Sequence, residues 1–97
     1  MVSLKTAKNY IRVDTDEDDN LIASLIVTAK ELVEDIIREK LNLEEDLPET
    51  INQAILLLVG TLYEERQVSS DPKNTISMDK TLDTVRRMLF GYRKDSF

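Results

Sequence analysis

The densest set of oxygen ligands in the chain is Asp14-Thr15-Asp16-Glu17-Asp18-Asp19. Asp14, Asp16 and Asp18 have the alternating spacing of the first three ligands of an EF-hand loop, which would make calcium binding the chemistry. The motif breaks where it must turn and where it must close. Asp19 stands where glycine is required, and Leu25 stands where a bidentate glutamate is required. These residues read instead as a solvated acidic connector whose last carboxylates favour a helix N-terminus. No metal and no cofactor is expected. Glu64-Glu65 is the other carboxylate pair of note, but it sits beside Arg66 at the end of a helical stretch, not alone in an apolar segment that would raise a pKa. Histidine and cysteine are both absent. Their absence removes the commonest general base, the commonest zinc ligands, thiolate nucleophiles and disulfides. There is no glycine-rich phosphate loop and no recognisable nucleophile motif. The residues argue against an enzyme.

One cluster does have recognition chemistry. Arg86, Arg87, Phe90, Tyr92, Arg93 and Lys94 interleave cations with aromatics near the end of the chain, and Phe97 follows. Such a patch fits stacking plus phosphate contact on nucleic acid. It also fits docking onto an acidic protein surface, because aromatics and arginine are the types enriched in interface hot spots. The plainer reading is a helix C-terminus with favourable cations, with Leu89 and Tyr92 finishing the core. The chain carries a net charge of −6. The acid lies in the middle, while residues 1–12 and 80–97 are basic on balance, so head-to-tail association of copies is electrostatically allowed.

The elements that must position these groups follow from periodicity. The 97 residues are 41% hydrophobic and 33% charged, as expected for one domain spanning 1–97. The longest apolar run, Ala54 to Val59, is far short of the ~20 residues that span a bilayer, and the N-terminus lacks the apolar stretch of a signal peptide. Apolar residues recur at steps of three and four almost throughout, and no stretch alternates like a strand. The spacing predicts an all-α fold: a small helical bundle of two long antiparallel helices plus shorter N- and C-terminal helices.

The first helix is expected over residues 4–10 with Ser3 as N-cap, and Ile11 and Val13 as an extended apolar anchor. The second is expected over 19–41, its stripe built by Ile22, Leu25, Ile26, Ala29, Leu32, Val33, Ile36 and Ile37. Glu34 and Arg38 lie mostly off that stripe as an i,i+4 pair. The third begins at Pro48 as first helical residue, with Glu49 in the first turn, and reaches 66 or 67. Its Ala54–Val59 segment is apolar on every side, which marks the central, buried helix. Gly60 inside it costs ~1 kcal/mol relative to alanine and points to a close helix crossing. Residues 68–79 read as a long mobile loop. The last helix is expected over 80–90, with Asp79 or Ser77 as cap and Gly91 as its stop, leaving 91–97 as a tail.

Three passages and the chain's ending resemble the small α-helical head–tail connector proteins of tailed phages and prophages, the head-completion or adaptor family. Residues 4–14, LKTAKNYIRVD, resemble the family's opening short helix and "YLRID"-like turn before an acidic stretch. Residues 19–30, DNLIASLIVTAK, resemble its "D..L..LI..A" helix. Residues 47–66, LPETINQAILLLVGTLYEER, resemble its "LP..I.QAILLLV...YE.R" helix, and Leu89-Phe90-Gly91-Tyr92-Arg93 resembles an "LL..YR" ending. The link over 42–47 lacks the aromatic or glycine-rich turn that many members carry there.

The resemblance implies a structural protein of the virion neck, made in the bacterial host cytoplasm. Copies would form a ring homo-oligomer, twelve-fold where it matches the portal. That ring would bind the portal protein on one side and the next tail-side connector protein on the other. DNA would pass through it without sequence-specific binding, and no membrane is involved. Arg86, Arg87, Phe90, Tyr92, Arg93, Lys94 and Phe97 are the candidate interface. Two other functions fit the residues alone. One is a small cytoplasmic helical interaction module of the regulator or antitoxin type. The other is a nucleic-acid binder acting through the basic C-terminus.

Overall fold

The computed structural model describes residues 2–42, 45–67 and 78–92. Among them are four α-helices and no strand: α1 (Leu4–Ile11), α2 (Asp19–Ile37), α3 (Glu49–Gln67) and α4 (Met78–Leu89), the last followed by a single 3-10 turn over Phe90–Tyr92. The all-α expectation holds, and the two longest helices are the two anticipated ones.

α3 is the hub. It packs against α2, α4 and α1, whereas α2 and α4 touch each other only slightly. Ala54, Ile55, Leu58 and Val59 are fully enclosed, and Ile51 and Leu56 nearly so. Each isoleucine, leucine or valine buried in this way contributes ~1.5–3 kcal/mol from area removed from water. α2 covers one flank with Ile22, Leu25, Ile26, Ala29, Val33 and Ile37 of its expected stripe, while Leu32 and Ile36 of that stripe are only partly buried, and α4 covers another with Val85 and Leu89. Cross-links at the helix ends set the directions. The Tyr63 hydroxyl near the end of α3 donates to Asp18 Oδ2 at the start of α2 (2.7 Å), so these two helices run antiparallel. Thr61 and Thr81 share a buried hydroxyl hydrogen bond of 3.0 Å between α3 and α4, while Tyr92 stands beside Pro48 and Ile51 at the other end. α3 and α4 are therefore antiparallel too.

Gly60 meets the close approach that its position implied. A Cβ built there would lie 3.2 Å from Tyr10 Cε1 and 3.8 Å from Ile11 Cγ2, at the end of α1. α1 itself is capped by Ser3, whose Oγ accepts from the Thr6 N–H at 3.1 Å.

Several boundaries differ from the sequence reading, each for a local reason. Ile11 completes α1 because its side chain packs toward α3 near Gly60. The chain then reverses at Arg12 in the left-handed conformation (φ 61°). α2 stops at Ile37, four residues before Leu41, because Arg38 also turns left-handed (φ 60°) and donates its N–H to the Glu34 carbonyl at 2.8 Å. Neither turn uses the glycine that usually signals such a cap. Pro48 precedes α3 as its cap: its carbonyl accepts from Ile51 and Asn52. α4 begins at Met78, so residues 78 and 79 of the expected loop are helical, with Asp79 in the first turn. The remainder of that loop, 68–77, and the alternative cap Ser77 lie outside the described residues. Gly91 does not stop the helix by a left-handed turn; the backbone tightens into the 3-10 turn that contains it.

Candidate assembly surface

α4 presents two faces. Thr81, Val85 and Leu89 recur at steps of four and are buried against α3. The opposite side carries Asp83, Arg87 and Phe90, with Arg86 on its flank. Arg87 Nη2 pairs with Asp83 Oδ2 at 2.9 Å, one turn earlier, and both side chains are well exposed. Such a pair in water is worth little, ~0.3–0.5 kcal/mol. Arg86 edges a shallow notch with Asp35, Ile36 and Arg38 of the α2 end. Phe90 is 75% exposed, the most exposed large apolar side chain among the described residues. It lies one turn from Arg86 and Arg87.

The expected interface is thereby split. Arg86, Arg87 and Phe90 share the outer end of α4. Tyr92 turns elsewhere and walls a groove formed by Ile37, Leu41, Leu47, Pro48 and Ile51, where α2 ends and α3 begins. It is 39% exposed, a rim residue and not part of the enclosed core. Arg93, Lys94 and Phe97 lie outside the described residues.

The acidic connector is organised by a lysine. Lys8 Nζ of α1 reaches Asp19 Oδ1 at 2.8 Å and Asp16 Oδ1 at 3.1 Å. Those hydrogen bonds, Asp19 first and Asp16 second, raise the Lys8 pKa above its ordinary value. Asp18 is taken by the Tyr63 hydroxyl. Two of the three residues with calcium-loop spacing are thus engaged in holding α1 and α3 against the start of α2. Among the described residues no three carboxylates converge as a metal site.

Glu34 was expected on the solvent side of α2, and the structure buries it. Its Oε2 accepts from the Leu41 N–H at 2.7 Å and pairs with Lys30 at 3.3 Å. The Leu41 hydrogen bond, assisted by Lys30, outweighs burial and lowers the Glu34 pKa below its ordinary value. Its expected partner Arg38 has left the helix. The carboxylate acts as a brace for the chain reversal after α2. No periodic signal marks this role, since position 34 lies at the edge of the apolar stripe. Val27 on the outer face of α2 is 51% exposed, because it falls outside the stripe positions.

A family model described as phage gp6-like head–tail connector protein matches residues 1–93. No curated protein and no solved structure matches the chain.

Proposed function

The chain belongs to the phage gp6-like head–tail connector family, and from that premise we propose that it forms an oligomeric adaptor ring between the capsid portal and the tail. The match across residues 1–93 carries this reading, since it covers all four helices. The role is structural: the protein binds neighbours and performs no chemical step. Copies surround the axis below the portal, prolong the DNA channel, and offer their far side to the next tail-side connector protein. Twelve copies would match the portal. The net charge of −6 suits a wall past which DNA slides, because like charge prevents adhesion. The site of action is the virion neck, and the exposed end of α4 supplies surface for docking.

The test is complementation. Heads assembled without this protein, but with a portal, are mixed with the purified chain and then with tails. The expected result is added density on the portal vertex in electron micrographs, together with recovered infectivity. Binding to portal-free heads at the same level, or no binding to portal-bearing heads, would refute the adaptor role.

A further inference from the structure

The outer face of α2 is the opposite side from its buried stripe, and it carries Val27, Glu31 and Asp35 at successive steps of four. Each step advances ~6 Å along the helix. All three are exposed, and neither acid has an ion-pair partner among the described residues. The outer end of α4 has the reciprocal composition. Phe90 stands out into solvent, one turn beyond Arg86 and Arg87. Arg86 has no ion pair among the described residues, and the one that holds Arg87 is open to solvent and readily exchanged. One face is apolar and acidic, the other apolar and basic, and both belong to the same chain.

We propose that the end of α4 docks head-to-tail on the outer face of α2 of a second copy of this chain, Phe90 against Val27 and the two arginines against Glu31 and Asp35. The inference rests on the ring assembly above and names the surfaces that build it. Burying Phe90 removes the most exposed large apolar side chain among the described residues, and the flanking charges fix the register. For a ring the two faces must engage different neighbours, so the contact proposed is heterologous and not a reciprocal two-fold dimer. Every added copy leaves one α2 face and one α4 end open, so the assembly grows past a dimer until rotation closes it. A nucleic-acid ligand for the same arginines is disfavoured, because the surrounding body is acidic and the complementary protein face is already present.

The chain has no cysteine, so introduced cysteines report cleanly. Thr28 is exposed beside Val27, and its hydroxyl bonds only the Ser24 carbonyl of its own helix. Gly91 follows Phe90, and a Cβ there meets nothing within 4 Å. Thr28→Cys and Gly91→Cys therefore leave Val27, Phe90 and the charges untouched. Treated with a short bismaleimide, free or bound to portal-bearing heads, the double variant should give a ladder of trimers, tetramers and larger species. Each single variant alone should stay uncoupled, and a mixture of the two should stop at dimers. In the double variant, Glu31→Arg with Asp35→Arg, or Arg86→Glu with Arg87→Glu, should each cut the ladder at least several-fold. Mixing the two charge variants should restore it, because opposite faces again match. Circular dichroism confirms that each variant is folded. Coupling by either single variant as efficient as by the double variant would overturn the proposal. So would a ladder indifferent to the charge changes, or its absence on heads that have bound the protein. Failure to bind heads at all would instead refute the adaptor role.

Discussion

At the scale of single residues, the fold depends on polar groups at helix ends more than their positions suggest. Glu34 is the clearest case. Its carboxylate holds the Leu41 N–H and Lys30 while buried, and a hydrogen bond to a charged group is worth ~1.5–3 kcal/mol. Glu34→Gln keeps an acceptor oxygen but loses the charge, so the expected loss near neutral pH is ~1 kcal/mol. The pH dependence has a definite sign. The folded-state pKa lies below the ordinary value of 4.5, so the stabilisation is complete above 4.5 and disappears as pH falls through the lower folded value. Denaturant midpoints should differ between wild type and Glu34→Gln at neutral pH and converge on acidification below 4.5; a gap that widens in acid would contradict the brace. Gly60 poses a different balance. Alanine gains ~1 kcal/mol of helix propensity, but its methyl sits 3.2 Å from the Tyr10 ring. Tyr10 is 45% exposed and free to swing outward. Gly60→Ala should therefore raise stability by ~0.5 kcal/mol, while Gly60→Leu, which must displace Ile11 and α1 as well, should lower it. A destabilised Gly60→Ala would mean that the α1 end is rigidly held.

At the scale of elements, α3 carries the structure. Leu58 is fully enclosed at its midpoint, and Leu58→Ala should cost ~2–5 kcal/mol in chemical denaturation. A loss under ~0.5 kcal/mol, the level of an ordinary surface change, would remove α3 from the centre. This element was legible because six consecutive apolar residues inside a helical period have no side left for water. The α2 stripe and the Ser3 cap were legible for the same kind of local reason. The end of α2 was not. Leu41 and Arg38 look compatible with further helix, and the decision to stop comes from Glu34 reaching across seven residues to the Leu41 N–H. The start of α4 lies two residues before the position that composition predicts, because serine and asparagine upstream favour a loop whereas Met78 packs on the core as a first-turn residue. Tyr63 with Asp18, and Thr61 with Thr81, bridge separate helices, and pairings of that kind leave no trace in single-helix periodicity.

At the scale of the whole molecule, the charge asymmetry seen along the chain has become a distribution over surfaces. Lys8 is absorbed internally by Asp16 and Asp19, so this one of the three N-terminal cations serves the fold, while Lys5 and Arg12 are exposed. Arg86 and Arg87 face outward with Phe90, so these two cations of the basic C-terminal segment remain open to solvent. The candidate interface cluster is a feature of composition, visible in the sequence. Its division between the end of α4 and the Tyr92 groove is not, because that depends on the 3-10 turn after Leu89. The division yields a test of the remaining tail. Among the described residues the core reaches no further along the chain than Leu89, and Tyr92 contributes a partly exposed wall. Deleting residues 93–97 should therefore leave the helical circular dichroism intact and shift stability by no more than ~0.5 kcal/mol, as for a surface change. If Arg93, Lys94 and Phe97 dock onto the portal or a neighbouring copy, the same deletion should abolish head completion. Loss of folding would place the tail in the core, whereas normal completion of heads by the shortened chain would show that residues 93–97 are not an interface.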